Sequence, residues 1–215
     1  MIIGKWNKSV ILSYIGLFFG VFGIYSAIVI KNINYAMICL ILTGICDMFD
    51  GTVARRCKRT EEEKEFGIQL DSLNDVFNFA ALPILIFCGM GLTKIYDIIV
   101  YCIYAMFAIA RLANFNIRTA NANTKTKYYE GLPVTSAAVI FPIFYLLSFV
   151  LSKSLFNYIY IGIVLLVGVL FVLNIKVAKP SLKISILFLI MGLIATGLFL
   201  FVLWQNYITE KQKNM

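Results

Sequence analysis

The chain has 215 residues, of which 61% are hydrophobic and 14% are charged, and its formal net charge is +8. Soluble domains are about 45–50% apolar and about 25% charged, so this composition excludes an ordinary soluble protein and indicates an integral membrane protein of one domain, residues 1–215. The positive charge does not indicate a nucleic-acid partner, because the basic residues lie in short segments between apolar runs, which is typical of membrane topology.

Apolar stretches of roughly 18–25 residues predict seven membrane-spanning helices, each long enough to cross about 30 Å of hydrocarbon. They lie near residues 10–30, 34–55, 67–91, 94–117, 133–151, 155–175 and 184–206. The first is too long for a signal peptide and has no small-residue cleavage site, so we interpret it as a span. The third is the least apparent, because Asp71, Asn74 and Asp75 occupy its first turns. Gly89, Gly91 and Pro180 mark breaks between spans, and Gly131 and Pro133 indicate a break before the fifth span.

Lysines and arginines predict which helix ends face the cytosol, because inside segments are enriched in them. With the N-terminus inside, the inside segments contain Lys5, Lys8, Arg55, Arg56, Lys58, Arg59, Lys64, Arg118, Lys125, Lys127, Lys176, Lys179 and Lys183. The outside segments contain Lys31, Lys94, Lys153, Lys211 and Lys213. This bias predicts a cytosolic loop between the second and third spans and a C-terminal tail outside.

Four aspartates lie in the second and third spans. Asp47 and Asp50 are three residues apart and Asp71 and Asp75 are four apart, so each pair shares a helix face. Antiparallel packing of the two helices would bring both pairs to a similar depth near the cytosolic surface. Four converging carboxylates repel one another unless cations neutralise them, and oxygen ligands suit Mg²⁺, Mn²⁺ or Ca²⁺. Two such ions would suit an in-line displacement at phosphorus.

The alternative is that the aspartates only form salt bridges with basic residues of the adjacent loop. That interpretation suits the glutamates of the loop better, because the aspartates lie among apolar side chains, where ionisable groups are usually functional. Gly51 and Ala54 reduce the bulk beside Asp50, which would let a phosphate or nucleotide approach the helix. Arg55 could pair with a phosphate oxygen, and Gly67 would do on the third helix what Gly51 does on the second.

Residues 47–55 and 67–75 resemble the signature of the CDP-alcohol phosphatidyltransferases, D-x2-D-G-x2-A-R … G-x3-D-x3-D, with every fixed position present. Eleven residues separate Arg55 from Gly67, where the family usually has seven or eight. The extra residues fall in the polar loop between the two spans, where insertions cost little. The signature should therefore form the same site here.

This resemblance implies an all-α membrane bundle of a six-helix core plus an extra span, with an active site that faces the cytosol. Such an enzyme transfers a phosphatidyl group from CDP-diacylglycerol to an alcohol and releases CMP. The resemblance implies that Asp47, Asp50, Asp71 and Asp75 bind two Mg²⁺ or Mn²⁺ ions, and that Gly51, Ala54, Arg55 and Gly67 line the CDP pocket. It also implies a homodimer in the cell membrane, and Asp75 as the general base. The chain has no histidine, so a carboxylate is the expected base.

Residues 111–116 (RLANFN) and 131–136 (GLPVTS) resemble the phosphatidylserine synthase branch, which implies serine as the acceptor and an acceptor region near 111–135. Arg111 could pair with the serine carboxylate or a phosphate, or could be a counter-ion of the aspartates. Asn114 and Asn116 could contact the acceptor or only a neighbouring helix. Glycerol 3-phosphate and inositol (phosphate) are alternative acceptors. A cation transporter is the alternative of another class, although the chain has no inverted repeat.

Overall fold

The computed structural model describes residues 4–121, 128–178 and 182–213. The helices in this part of the chain are α1 (Ile11–Ile28), α2 (Ile33–Arg56), α3 (Glu61–Val76), α4 (Leu82–Gly89), α5 (Ile95–Asn121), α6 (Ala137–Tyr145), α7 (Lys153–Val172) and α8 (Leu182–Lys213). A short antiparallel pair joins β1 (Tyr128–Glu130) to β2 (Lys176–Ala178), with Tyr129 opposite Val177.

Six helical segments of the described residues are long and apolar enough to cross a membrane. They are Lys8–Ile28, Ile33–Arg56, Glu61–Gly89, Ile95–Arg118, Lys153–Val172 and Ile186–Thr209. A shorter apolar segment, Val134–Phe149, lies where the fifth span was predicted. The prediction of an all-helical integral membrane bundle is therefore confirmed.

The third span begins earlier than the apolar pattern indicates, at Glu61. Thr60 and Glu63 form a capping box at this end. The Thr60 hydroxyl accepts a hydrogen bond from the Glu63 N–H (3.2 Å), and the Glu63 carboxylate accepts one from the Thr60 N–H (2.8 Å). This cap fixes the first turn of α3 without any apolar burial. The polar extension of the span is therefore helical.

The same span contains a π-helical turn, Phe77–Ala81, between α3 and α4. Pro83 has no N–H to donate to the Phe79 carbonyl four residues earlier. The hydroxyl of Tyr104 on α5 donates to that carbonyl instead. The turn begins two residues after Asp75, and π turns of this kind occur frequently at functional sites.

The fifth predicted span, 133–151, is shorter and less regular in the structure than the sequence indicates. Helix α6 is flanked by 3-10 turns, Val134–Ser136 and Leu146–Phe149, and Pro142 lies within it. Pro142 cannot donate a hydrogen bond, so the α-helical ladder is interrupted there. The 3-10 turns rise about 2.0 Å per residue rather than 1.5 Å, so the segment reaches further than an α-helix of the same length.

The chain turns sharply at Gly131, before α6. Its φ is +74°, and a Cβ at this position would overlap the carbonyl of Phe171. The Gly131 N–H donates to the Ile175 carbonyl at 2.9 Å, and the Leu132 N–H donates to the Leu170 carbonyl at 2.9 Å. Only glycine fits this conformation and this close approach, in agreement with the chain break that the sequence indicates at Gly131.

An aromatic core joins the two halves of the bundle. The ring of Phe87 on α4 lies 4.9 Å from that of Phe141 on α6 and 5.4 Å from that of Tyr160 on α7. Tyr104 on α5 contacts Phe141 and also Phe171. Edge-on contacts of this kind supply close packing where lipid removes the hydrophobic driving force. Phe87 also contacts Tyr101 of α5, so this core holds α5 against α4, which continues the span that carries Asp71 and Asp75.

The basic segments that were predicted to lie inside are found at one end of the bundle. Lys5 forms a 2.6 Å ion pair with Glu62, and Asn7 donates to the Lys58 carbonyl, so the N-terminal segment contacts the loop between α2 and α3. The β1–β2 pair joins the α5–α6 connection to the α7–α8 connection. The predicted inside residues Lys125, Lys127 and Lys179 and the predicted break at Pro180 lie outside the described residues.

Candidate active site

Helices α2 and α3 bring the four aspartates together. One carboxylate oxygen from each of Asp47, Asp71 and Asp75 lies within 4.8 Å of the others. Asp50 is adjacent, because its carboxyl group contacts that of Asp71, just as the carboxyl of Asp47 contacts that of Asp75. The site is therefore made of two pairs, each with one residue from α2 and one from α3.

Helix α1 supports this cluster with polar contacts that the sequence interpretation did not include. The hydroxyl of Ser13 donates to the Asp50 carboxylate at 3.1 Å. The amide of Asn74 on α3 donates to the Ser13 carbonyl at 3.0 Å. Ser13 thus connects α1 to both helices that carry aspartates.

Small residues on α1 allow this close approach. A Cβ on Gly16 would lie 3.2 Å from the Cβ of Cys46, and a Cβ on Gly20 would overlap the side chain of Asn78. The spacing of Gly16 and Gly20, four residues apart, is the pattern that indicates tight helix packing in membranes. That pattern was the available signal for a contact between α1 and the aspartate helices.

Arg111 of α5 also lies near the aspartates. It is buried, with 9% of its surface exposed, and it interacts electrostatically with Asp47 and Asp75. Its guanidinium carbon lies 5.0 Å from the centre of the Phe115 ring. This position supports the counter-ion alternative that the sequence left open, because a positive charge offsets part of the repulsion between the carboxylates.

The two other acceptor candidates differ in position. Asn116 donates to the Ser72 hydroxyl at 2.8 Å, so it lies beside the turn of α3 that carries Asp71. Asn114 is exposed and accepts a hydrogen bond from Arg118 of the same helix. The structure therefore brings Asn116 close to the cluster but leaves Asn114 on the outer face of α5.

Two cavities meet at the aspartates. The larger is an open cavity with about 580 Å³ of empty space. All four residues predicted to line a CDP pocket border it: Gly51, Ala54, Arg55 and Gly67. The remaining lining residues are Ser9, Val10, Ser13, Asp50, Arg59, Ile68 and Asp71. The smaller cavity is narrow, with room for about one water molecule, and all four aspartates line it. Ser13, Asp50 and Asp71 border both.

Arg55 stands over the glycine of its own helix. Its Nη1 atom would lie 3.3 Å from a Cβ on Gly51, and its Nη2 atom donates to the Thr52 hydroxyl at 3.0 Å. A side chain at position 51 would therefore fill the space between the helix and this cation. The lining of the larger cavity includes both arginines and carboxylates, a combination that suits a phosphorylated ligand accompanied by metal ions.

The carboxylate cluster also fits a divalent cation. Its donors are all oxygens, they converge from two helices, and Ser13 orients one of them through a hydrogen bond. Hard ions such as Mg²⁺ and Mn²⁺ prefer this donor set, whereas softer metals prefer sulfur or nitrogen.

The fold and the site define a multi-pass membrane protein with a carboxylate cluster beside an arginine-lined cavity. The chain belongs to the CDP-alcohol phosphatidyltransferase family, whose sequence model matches residues 6–209. Family membership makes it an enzyme, so the cation-transporter alternative is rejected.

Curated relatives refine this assignment. The chain is 34% identical over 187 residues to a CDP-diacylglycerol–serine O-phosphatidyltransferase of Helicobacter pylori, an alignment that covers 81% of this chain and 75% of the relative. It is 35% identical over 119 residues to an archaetidylserine synthase of Methanothermobacter thermautotrophicus, covering 55% and 49%. A yeast (Saccharomyces cerevisiae) CDP-diacylglycerol–serine O-phosphatidyltransferase is 34% identical over 106 residues, covering 46% and 37%. The resemblance to the serine-using branch is thus confirmed.

Proposed function

We propose that this enzyme transfers a phosphatidyl group from CDP-diacylglycerol to L-serine, forming phosphatidylserine and releasing CMP. The observation that carries the proposal is that Asp50 and Asp71 border both cavities. The nucleotide would occupy the larger cavity, and its reacting phosphate would then lie at the mouth of the smaller one. The names of the relatives favour serine over glycerol 3-phosphate or inositol as the acceptor.

In this proposal Asp47, Asp50, Asp71 and Asp75 hold two divalent ions, Mg²⁺ or Mn²⁺. When bound, these ions would neutralise the diphosphate and stabilise charge on the transferred phosphoryl group. Gly51, Ala54, Arg55 and Gly67 bind the CDP moiety. The absence of side chains at both glycines supports this assignment, because it leaves room for the nucleotide against α2 and α3.

Asp75 acts as the general base. The serine hydroxyl oxygen attacks the phosphorus of the phosphatidyl group, the bond from that phosphorus to the CMP oxygen breaks, and the hydroxyl proton passes to the Asp75 carboxylate. Two observations support this assignment: the chain contains no histidine, and Asp75 lies deep in the cluster beside Asp47. A positioned base of this kind contributes about 10²–10⁴-fold to a rate.

The acceptor hydroxyl would approach the aspartates at the mouth of the smaller cavity, where Asp50 and Asp71 border both cavities. Arg111 does not border the smaller cavity, so we assign it the counter-ion role and not direct contact with serine. Asn116 remains a candidate for positioning the acceptor through Ser72 and the turn that carries Asp71. Asn114 would contact the acceptor only if α5 rotated.

We further propose that the aspartate end of the bundle faces the cytosol and that the protein is a homodimer of the cell membrane. The gathering of the predicted inside segments at that end supports the orientation, because positive residues accumulate on the cytosolic side. CDP-diacylglycerol would reach the site laterally from the bilayer, and serine would reach it from the cytosol.

An acceptor panel tests the proposed reaction. Purified protein in liposomes with CDP-diacylglycerol and Mn²⁺ is supplied with serine, glycerol 3-phosphate or inositol, and CMP release and lipid products are measured. We expect phosphatidylserine with serine and no product with the other two. Product formed only with glycerol 3-phosphate or inositol would contradict serine as the acceptor while leaving the family chemistry intact.

A further inference from the structure

Two polar atoms in the wall of the larger cavity have no hydrogen-bond partner among the described residues. They are the hydroxyl oxygen of Ser9 and the Nε atom of Arg59, and both are buried. Both residues border the cavity that holds the signature positions, yet neither is a signature position itself. Buried donors are nearly always satisfied in folded proteins, so a pair of them in one cavity points to a ligand that supplies the acceptors.

Hydrogen bonds of the neighbouring Asn7 and close packing hold Ser9 in place. Ser9 lies in a 3-10 turn, Lys8–Val10, and its N–H donates a hydrogen bond to the side-chain oxygen of Asn7 at 3.3 Å. Asn7 also donates to the Lys58 carbonyl in the loop between α2 and α3. Only 3% of Ser9 is exposed. Asn7 therefore links the backbone of Ser9, which borders the cavity, to the loop between α2 and α3.

Arg59 is fixed by the same loop. It precedes Thr60, whose capping box with Glu63 sets the start of α3. The Nη1 atom of Arg59 would lie 3.7 Å from a Cβ on Gly67, so the guanidinium lies across the glycine of the second half of the signature. Arg55 lies in the same way across Gly51. Two arginines thus stand over the two glycines that open the cavity.

We propose that Ser9 and Arg59 bind the nucleoside diphosphate part of the lipid donor, as a second set of donors beside Arg55. The assignment rests on the proposed function. Each of the two phosphates of a CDP-linked lipid carries one ionised oxygen, and the two divalent ions of the proposed function would balance the four aspartates. Arg55 alone would therefore leave one phosphate charge uncompensated in this cavity. A guanidinium and a hydroxyl with free N–H and O–H groups provide the charge-assisted bonds that a diphosphate accepts.

Binding of CDP in the presence of Mg²⁺, measured by calorimetry on the full-length protein, tests this inference. Arg59→Gln removes the charge, and we expect about tenfold weaker CDP binding. Ser9→Ala removes one oxygen from a tight turn, and we expect about threefold weaker binding. Arg56→Gln is the matched control, because Arg56 is exposed at the end of α2 and does not border the cavity; it should bind CDP like the wild type.

Steady-state kinetics give a second readout. Arg59→Gln should raise the KM for CDP-diacylglycerol and leave the KM for serine unchanged, whereas a general loss of folded protein would lower kcat alone. Unchanged CDP affinity in either variant would overturn the assignment of that residue. A wild-type protein that binds CDP but forms no phosphatidylserine would contradict the proposed reaction, and the calorimetric comparison would still decide the roles of Ser9 and Arg59.

Discussion

The hydroxyl of Ser13 on α1 donates a 3.1 Å hydrogen bond to the carboxylate of Asp50 on α2. This contact joins the first span to the carboxylate cluster, and Asn74 extends it to α3 through the Ser13 carbonyl. The three helices that enclose the site are therefore connected through a single serine. Small residues on α1 make the connection possible, because larger ones would hold the helices apart.

Ser13→Ala should weaken the site without unfolding the protein. A hydrogen bond to a charged group contributes about 1.5–3 kcal/mol. Without it, the Asp50 carboxylate would be less well oriented for metal binding. We expect activity at limiting Mn²⁺ to fall about tenfold, with partial recovery at high Mn²⁺. The measurement is the Mn²⁺ concentration that gives half-maximal rate. Ser13→Thr keeps the hydroxyl and serves as the control; equal Mn²⁺ requirements for Ser13→Ala and the wild type would show that the contact is dispensable.

Gly20→Ala should destabilise the bundle. The added methyl group would overlap Asn78 and lie 3.0 Å from the Phe77 ring, so α1 or the π turn must shift. Overpacking of this kind costs about 1–3 kcal/mol. Thermal unfolding in detergent should show a lower Tm and lower activity.

Gly162→Ala on α7 is the matched control for that change. A Cβ there meets nothing within 4 Å, and alanine favours helix by up to about 1 kcal/mol over glycine, so its Tm should stay equal or rise. If the two variants had the same Tm, the close packing of α1 on the π turn would not limit stability.

Tyr104→Phe should leave the Phe79 carbonyl without its donor. The α-helical donor to this carbonyl is missing because position 83 is proline, so a buried acceptor would be unsatisfied at a cost of about 1–3 kcal/mol. We expect a lower Tm and a reduced rate, since the π turn follows Asp75. Tyr158→Phe, at a side chain with 59% exposure, should change neither value. Full activity and stability in Tyr104→Phe would indicate that water replaces the hydroxyl.

Arg111→Gln distinguishes the two roles considered for this arginine. A counter-ion of Asp47 and Asp75 acts on the carboxylates, so its loss should lower kcat and change the KM for serine by less than about twofold. A direct contact with the serine carboxylate would instead raise that KM strongly. Arg118→Gln, at an exposed position on the same helix, is the control for loss of one charge.

Helical spacing and hydropathy predict much of this fold, and the features that they miss depend on contacts between helices. Helical spacing alone grouped Asp47 with Asp50 and Asp71 with Asp75, and apolar length located the spans within a few residues. The π turn at Phe77–Ala81 depends on where Pro83 meets a hydroxyl from α5, which no local pattern encodes. The predicted fifth span was longer than helix α6 because a hydropathy pattern does not detect the effect of Pro142 or the 3-10 turns beside it.

The residues of the site likewise divide into those that the sequence predicts and those that only the structure reveals. The signature residues could be named from the sequence because their spacing is regular on two adjacent helices. Ser9 and Ser13 could not be, because they reach the cavity only through the packing of α1 and the turn before it against α2, α3 and their connecting loop. Arg59 could not be, because it lies in that loop, outside any helical spacing. Asn114 illustrates the converse, since its sequence neighbourhood suggested the acceptor region but its helix face is exposed.

The rate of CMP release from CDP-diacylglycerol and serine, compared between the wild type and Asp75→Asn in matched liposomes with Mn²⁺, tests the central claim most directly. Asparagine keeps the size of the side chain but cannot take the proton from the serine hydroxyl. We predict a loss of about 10²–10⁴-fold with the same thermal unfolding profile, and loss of wild-type activity in excess EDTA. An undiminished rate in Asp75→Asn, or full wild-type activity in EDTA, would contradict the account.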